Sequence, residues 1–347
     1  MEVASHTHTA ARSTVVIRID EQSAIGDARR VSTKIAAGAG LKESLRNNVP
    51  LIVTELATNL LLHAKDGEIL IHLTPTPTGS AVEIIATDRG PGIADVKRAL
   101  DDGYSRAGTR GCGLGAVKRL STEFDIYSRQ PSGTVVMSRI FTRGRKEGSA
   151  RAHVSAICVP KPGEHISGDA WQISRLGNHF GAVVIDGLGH GPLAAEAASR
   201  AIDIFDERHS ITPQEYLEST HLVIQGSRGA AAAFARVDLE RNTLQYAGVG
   251  NIVGRLADAR SRKTRSLISL DGIVGAQIRK VRQFDYQLSP DELLIMHSDG
   301  LSERWNLEDY PGLAQADVAT IAGVLYRDAK RGRDDATVLV ARLNSTR

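Results

Sequence analysis

Cysteine is nearly absent. Cys112 and Cys158 are the only two, too few for a disulfide framework or a cysteine-rich zinc site, so a reducing compartment is expected. Aromatic residues are scarce too, at 4%. That excludes the stacking platforms that hold single-stranded nucleic acid and leaves Ala, Val, Ile and Leu to build the cores. Neither sign of charge dominates: 43 Lys+Arg against 40 Asp+Glu give a formal +3, little attraction for a nucleic-acid backbone. No apolar run approaches the roughly 20 residues of a membrane span. The opening MEVASHTHTAARS has no apolar stretch of the kind a secretion signal needs. No repeat of fixed period is present. The expected setting is cytoplasmic, with neither nucleic acid nor membrane as partner.

With 347 residues, 41% of them hydrophobic, the chain can bury two cores. The stretch TRGRKEGSARA is charged and has no apolar period, which places a domain boundary there. The expected division is a flexible terminus at 1–13, a first domain at 14–141, a linker at 142–152 and a second domain at 153–347.

The first domain opens on a β-branched strand, residues 14–19. A helix follows, with Ser23 as a possible cap and a stop at Gly38-Ala39-Gly40. The next helix has Asn48 as a possible cap and Pro50 in its first turn, with Ile52, Leu56, Leu60 and Ala64 forming a buried stripe. EILIHL and AVEIIAT are strands. The second domain shows strands at HVSAICV, FGAVVID, AAAFARVD, TLQYAGVG and ELLIMHSD, with helices over 192–208, 213–225 and 317–330. Many strands with helices set apart predict a layered α+β sandwich.

Four pieces of the first domain point to a nucleotide pocket. Glu55 and Asn59 stand four apart, so they share a helix face. The amide oxygen suits a hard cation and the acid can orient or deprotonate a nucleophile. Asp88-Arg89-Gly90-Pro91-Gly92 follows a strand directly, which places the Asp88 carboxylate where it can accept from an exocyclic amino group while the glycines let the backbone turn. Gly108-Thr109-Arg110-Gly111-Cys112-Gly113-Leu114-Gly115 precedes the helix AVKRLS, an arrangement that turns backbone amides and a helix N-terminus toward phosphate. Gly133-Thr134 opens a last strand. Taken singly, a solvated helix face, a surface turn and a mobile glycine loop account for the same residues. Their order is the specific feature.

That order resembles the GHKL ATPases, over residues from about Thr14 to Ile140. Glu55 and Asn59 match the family's N box, Asp88, Gly90 and Gly92 its first glycine box, Gly111, Gly113 and Gly115 its second, and Gly133-Thr134 its closing box. IADVKRALDDGYSRAGTRGCGLGAVKRLSTEFDIYS is most similar to RsbT-like serine kinases, although Cys112 and Ala116 interrupt the Gly-Leu alternation usual there. The resemblance implies a Bergerat-type α/β sandwich, ATP with Mg²⁺, and phosphate transfer to Ser or Thr of a STAS-domain protein. Glu55 would be the base, Asn59 the Mg²⁺ ligand, and Asp88, Gly90, Gly92, Gly111, Gly113, Gly115 and Thr134 the nucleotide contacts. His63, Arg106, Arg110 and Lys118 lie near these motifs, where solvated positions and phosphate contacts both remain open.

In the second domain acids sit where strands meet turns: Asp169 after Ser167-Gly168, Asp186 before Gly187-Leu188-Gly189-His190-Gly191, Asp299 in His297-Ser298-Asp299-Gly300, and Asp334-Asp335 before the last strand. If those ends converge, they form an oxygen-rich pocket for Mg²⁺ or Mn²⁺. Two such ions sharing a water generate a nucleophile for in-line attack on a phosphomonoester. Asp-Gly pairs are also ordinary turn formers. Cys158, in mid-strand, reads as core.

The order Gly-Asp, Asp-Gly-x-Gly-His-Gly, Ser-Asp-Gly and Asp-Asp-x-Thr resembles PPM-type metal-dependent phosphatases of the SpoIIE branch, over about His153 to Leu343. ISGDAWQIS, VVIDGLGHGPLAAEAA and YAGVGNI are closest to RsbX-like members. This implies an α-β-β-α sandwich with two ions held by Asp169, Asp186, Asp299 and Asp334, a carbonyl from Gly187, and Asp186 as the catalytic carboxylate. Asp335 ranks second as a ligand, and His190 has either a phosphate or a turn-forming role. No arginine opens the domain to hold phosphate, Arg151 being the nearest base. Ala170-Trp171-Gln172 stands where relatives often carry a further acid.

Together the resemblances imply a partner-switching regulator acting on a STAS-domain anti-anti-sigma or stressosome-type protein, with a downstream sigma regulator or signalling enzyme as a further partner. A first domain that binds ATP and gates the phosphatase without kinase turnover is the alternative.

Overall fold

The computed structural model describes residues 13–101, 113–143, 152–208, 210–261 and 263–343. The expected loose terminus at 1–12, linker residues 144–151 including Arg151, and the glycine-string residues up to Gly111 and Cys112, with Arg106 and Arg110, lie outside the described residues. The chain divides into two compact units, one holding residues 14–143 and 319–327, the other 152–318 and 328–343.

The first unit runs β1 (Val15–Arg18), α1 (Gln22–Gly38), α2 (Glu43–Arg46), α3 (Asn48–His63), β2 (Glu68–Thr76), β3 (Gly79–Thr87), α4 (Val96–Ala99), α5 (Gly113–Leu120), β4 (Glu123–Arg129) and β5 (Gly133–Phe141). The strands form one antiparallel sheet in the order β1-β2-β3-β5-β4. Period-2 alternation sends Ile69, Ile71, Val82 and Ile84 to one face, where they meet Ala28 of α1 and Ile52, Val53 and Leu56 of α3.

Both expected helix caps are corrected. Ser23 is the second residue of α1. Glu21 holds the cap position, and the Ser23 hydroxyl donates to its carboxylate. Asn48 lies inside α3 behind Asn47, and its amide donates to the Leu120 carbonyl at 3.1 Å. A tertiary bond across 72 residues has taken the side chain that a local reading assigns to capping. Ala64, expected in the stripe, is the half-buried C-terminal cap of α3.

On the opposite face of the sheet, His72, Glu83, Arg139 and Glu123 form one cross-strand row. His72 Nε2 is 2.9 Å from Glu83 Oε1, Arg139 Nε donates to Glu83 Oε2 at 2.8 Å, and Arg139 reaches Glu123 at 2.5 Å. Glu83 is fully buried and Arg139 is 5% exposed. Removing one partner from such a row strands a buried charge. Arg139→Ala is therefore expected to cost about 3–5 kcal/mol in denaturant unfolding, and the double change Glu83→Leu with Arg139→Met less than that.

The second unit runs β6 (Ala152–Val159), β7 (Asp169–Leu176), β8 (His179–Gly187), α6 (Pro192–Glu207), α7 (Pro213–Val223), β9 (Ala230–Asp238), β10 (Thr243–Val249), β11 (Val253–Asp258), β12 (Thr264–Ser266), β13 (Gly272–Ile273), β14 (Gln277–Ile278), β15 (Phe284–Gln287), β16 (Glu292–His297) and β17 (Ala336–Leu343); the helix α8 (Val318–Ala329), which precedes β17 in the chain, belongs over residues 319–327 to the first unit. Two five-stranded sheets, β15-β10-β9-β8-β7 and β12-β11-β16-β17-β6, bury Ala156, Trp171, Val184, Ala233, Leu294, Met296 and Leu339 between them. The helices α6 and α7 cover the outer face of the first sheet through Ala198, Ala201, Phe205, Tyr216 and Leu217. The scarce aromatics are not spread evenly. Phe205, Tyr216 and Phe234 meet edge-on with centroids 5.2–6.0 Å apart, so aliphatic packing alone does not make this layer.

Candidate nucleotide and metal sites

In the first unit, the α3 helix carries Glu55 and Asn59 one turn apart, both half-buried. They line a cavity of about 910 Å³ with Asp88, Gly92, Gly113, Gly115 and Thr134. Leu56, Ala86 and Val136 give it an apolar wall, and His63 also lines it. Lys118 does not. Gly113 and Gly115 belong to the first turn of α5 rather than to a preceding loop. An ideal Cβ on Gly113 would stand 3.3 Å from the Asn59 amide, so the glycine brings the α5 N-terminus close to α3.

Asp88 follows β3 directly. Its N–H donates to the Thr134 carbonyl at 3.0 Å, and its Oδ1 accepts from the Gly90 N–H at 2.7 Å. Asp88 is 8% exposed, and burial raises its pKa against the pull of the Gly90 and Thr134 backbone amides. Gly90 is absent from the cavity wall. Its missing Cβ instead clears Ala64 Cα by 3.1 Å, so it packs the turn onto the end of α3. Gly92 sits at φ +73° against the Arg129 carbonyl. Ser128, to which the sequence assigns no role, accepts from the Ile93 N–H at 2.7 Å and bonds the Thr134 hydroxyl at 2.8 Å. An acid, an amide, a buried carboxylate and an apolar wall are a donor set that fits an adenine nucleotide with Mg²⁺.

Gly133 shows how tightly this site is closed. It lies at φ +85°, and a Cβ there would stand 2.0 Å from the Asp88 carbonyl oxygen. Gly133→Ala combines left-handed strain with a backbone clash. It is expected to lower stability by about 2–4 kcal/mol, read as a fall in melting temperature together with weakened ATP binding.

In the second unit, Asp169 and Asp186 are direct cross-strand partners of β7 and β8. Asp299 follows β16 and Asp334-Asp335 precede β17, and those strands are neighbours in the other sheet. A short bond crosses between the sheets at the acids: Ser298 Oγ donates to Asp169 Oδ2 at 2.6 Å, while the Thr337 N–H donates to Ser298 Oγ at 3.0 Å. Asn251 Nδ2 donates to Asp299 at 2.8 Å. Both Asp335 oxygens accept backbone amides, from Lys161 at 2.8 Å and Gly168 at 2.9 Å. Asp335 therefore anchors the turn that presents Asp169. Gly187 must be glycine, since a Cβ would stand 2.2 Å from the Ala194 carbonyl. His190 Nδ1 is engaged by Glu164 at 2.7 Å.

Burial, then the neighbouring carboxylates, holds Asp169 and Asp186 well above the usual carboxylate range. Asp299 is raised the same way, with Asp334 the principal neighbour. Asp169 Oδ1 is buried with no hydrogen-bond partner. Among the described residues no group of three or more His, Cys, Asp or Glu side chains is close enough together to hold a metal ion as it stands. Mutually repelling carboxylates, an orphaned buried oxygen and the absence of sulfur donors together fit a hard divalent cation. Cys158 is buried and its thiol is pushed up to about 12, first by burial and then by Asp169. It is inert core.

The sequence assigns no role to Ser128, Ser298, Asn251 or Glu164, and Glu164 lies outside every segment singled out there. Ser298 and Asn251 sit inside segments singled out above, but only packing shows which polar neighbour turns inward.

Comparison with known proteins bears on both units. Residues 20–140 match the histidine kinase-like ATPase domain family, and residues 177–344 match the family of stage II sporulation protein E, SpoIIE. The serine/threonine-protein kinase RsbT of Bacillus subtilis (strain 168) is 34% identical over 35% of this chain and 92% of its own length. The phosphoserine phosphatase RsbX of the same organism is 23% identical over 53% of this chain and 91% of its own. Among solved structures, a chain from "The bacterial stressosome: a modular system that has been adapted to control secondary messenger signaling" is 29% identical, with TM-score 0.51, covering 55% of this chain and 99% of that one. RsbX in complex with magnesium matches with TM-score 0.50 at 22% identity, over 57% of this chain and 98% of that one, a likeness of fold. The chain therefore belongs to the partner-switching regulators, as a fusion of an RsbT-like histidine kinase-like ATPase domain with a SpoIIE-family, PPM-type phosphatase domain.

Proposed function

We propose that the chain is a bifunctional partner-switching regulator whose first domain phosphorylates Ser or Thr of a STAS-domain protein from ATP and whose second removes phosphate from the same protein or a sister. What supports the phosphatase half is that Asp169 and Asp186 pair directly across β7 and β8, that Asp169, Asp299 and Asp334 lie near enough to raise the Asp186 pKa, and that Asp169 Oδ1 is unpartnered. Those four acids and the Gly187 carbonyl would hold two Mn²⁺ or Mg²⁺ ions, with Asp186 as the catalytic carboxylate among them. Such ions would supply positive charge that acidifies water and offsets charge on the transferring phosphoryl group. Ser298 and Asp335 keep Asp169 in place through the bonds described, so the acids need little rearrangement during turnover.

In the first domain Asp88 would accept from the adenine amino group, and Gly92, Gly113, Gly115 and Thr134 would border the nucleotide. Gly90 would support Asp88, and Gly111 would extend the phosphate loop. Asn59 would hold Mg²⁺, which neutralises charge on the phosphates. Glu55 would take the proton of the attacking hydroxyl. Fusion of the two activities would give each a high effective concentration for a shared partner.

The test is phosphate release from a phosphoserine STAS-domain protein with Mn²⁺, paired with radiolabel transfer from ATP to the unphosphorylated form. Transfer and release both support the proposal. Release that responds to ATP without any transfer would favour an ATP-binding module that gates the phosphatase.

A further inference from the structure

We infer that Arg228 is the phosphate-gripping residue of the phosphatase site, taking the place of an arginine at the start of the domain. This rests on the phosphatase reading above. Three observations place it. First, Asp186 and Gly187 pair with Ala231 and Ala230, and the Leu188 N–H donates to the Gly229 carbonyl at 3.0 Å, so the segment before β9 runs beside the loop that leaves Asp186. Second, that segment is held firmly. Ser227 Oγ donates to the Ile224 carbonyl at 2.6 Å and accepts from the Gly229 N–H at 3.1 Å. Third, the Arg228 guanidinium lies over Gly189, where an ideal Cβ would stand 2.6 Å from its Nη1. Glycine at 189 is what leaves room for it.

The charge around it is also distinctive. His190, the other base of this loop, is engaged by Glu164, and Arg331 acts on Asp299. Arg228 is exposed, and no carboxylate pairs with it among the described residues. A guanidinium suits a phosphomonoester because its fork matches two phosphate oxygens at once. Set beside the loop that leaves Asp186, it would draw the dianion toward a site that otherwise repels it. The ligand class is a phosphomonoester, on phosphoserine or phosphothreonine.

The experiment uses the full chain with Mn²⁺ and p-nitrophenyl phosphate, with inorganic phosphate as inhibitor. Wild type is compared with Arg228→Ala and Arg228→Lys, and each is checked for the thermal shift caused by Mn²⁺. The expected result is a fall in kcat/KM of about 10- to 100-fold for Arg228→Ala. It should be carried mainly by KM, with weaker phosphate inhibition, an intermediate value for Arg228→Lys and an unchanged Mn²⁺ shift. Unaltered KM and phosphate inhibition in an Arg228→Ala protein that still turns over would overturn the inference and leave the phosphatase reading standing. If wild type itself releases no phosphate, both fall together.

Discussion

Asp186→Asn is expected to abolish Mn²⁺-dependent phosphate release, by roughly 10³-fold or more, equivalent to about 4 kcal/mol of transition-state stabilisation. It should do so without weakening the metal-free fold. The two effects separate because of where Asp186 sits. It is paired directly across from Asp169 and close enough to Asp299, Asp334 and Asp335 for each to raise its pKa. Without a cation, that charge is repelled by its neighbours, so a neutral amide of the same shape relieves repulsion. Phosphate release reads the first effect. Thermal melting with and without Mn²⁺ reads the second: the variant should melt no lower than wild type in chelator and should lose the rise that Mn²⁺ brings. A variant that melts well below wild type in chelator would mean that Asp186 serves the fold, and the assignment of these acids to metal would fail.

Glu55→Gln is expected to remove phosphotransfer from ATP to a STAS-domain protein by roughly 10²–10⁴-fold, the usual span for a general base, while ATP binds within a few-fold of wild type. Glu55 lies on α3 one turn from Asn59 and lines the same cavity as Asp88 and Thr134. The contacts proposed for the base and sugar end, Asp88 and the β5 start, are on other elements and remain intact. Asn59→Ala should behave differently, losing Mg²⁺-dependent affinity for ATP along with transfer. Radiolabel transfer and equilibrium nucleotide binding, measured on the same preparations, distinguish the two. Equal transfer by wild type and Glu55→Gln would remove Glu55 from the chemistry. Absence of transfer by both, with ATP bound, would favour the gating module.

Much of this was legible locally. Strands β3, β8 and β16 announce themselves by short apolar runs, and each delivers its acid at the first residue of a turn or at the strand's end, where glycine favours a turn. The helical stripe of Ile52, Leu56 and Leu60 is equally local, since residues four apart share a face. Capping was not legible. Asn48 has the chemistry of a cap, yet its amide is taken by Leu120, 72 residues away. Nor was the row His72, Glu83, Arg139 and Glu123, which exists only because four strands align in one register. Asp335 shows the same limit at the metal site. Beside Asp334 in the chain it reads as a spare ligand, whereas its bonds to Lys161 and Gly168 span 174 and 167 residues and make it a brace.

The sequence by itself determined which residue types stand at which strand ends, the order of the two motif sets along the chain, and thereby the two chemistries on offer. These are encoded by neighbours within a few positions, where backbone periodicity and turn preferences act. Only the tertiary structure decided that Asp169 faces Asp186 across a strand pair, that Ser298 reaches Asp169 over 129 residues and Asn251 reaches Asp299 over 48, and that Arg228 lies over Gly189. Those contacts depend on sheet register and on which polar group is left without water when the layers close, and burial makes that choice through the whole fold.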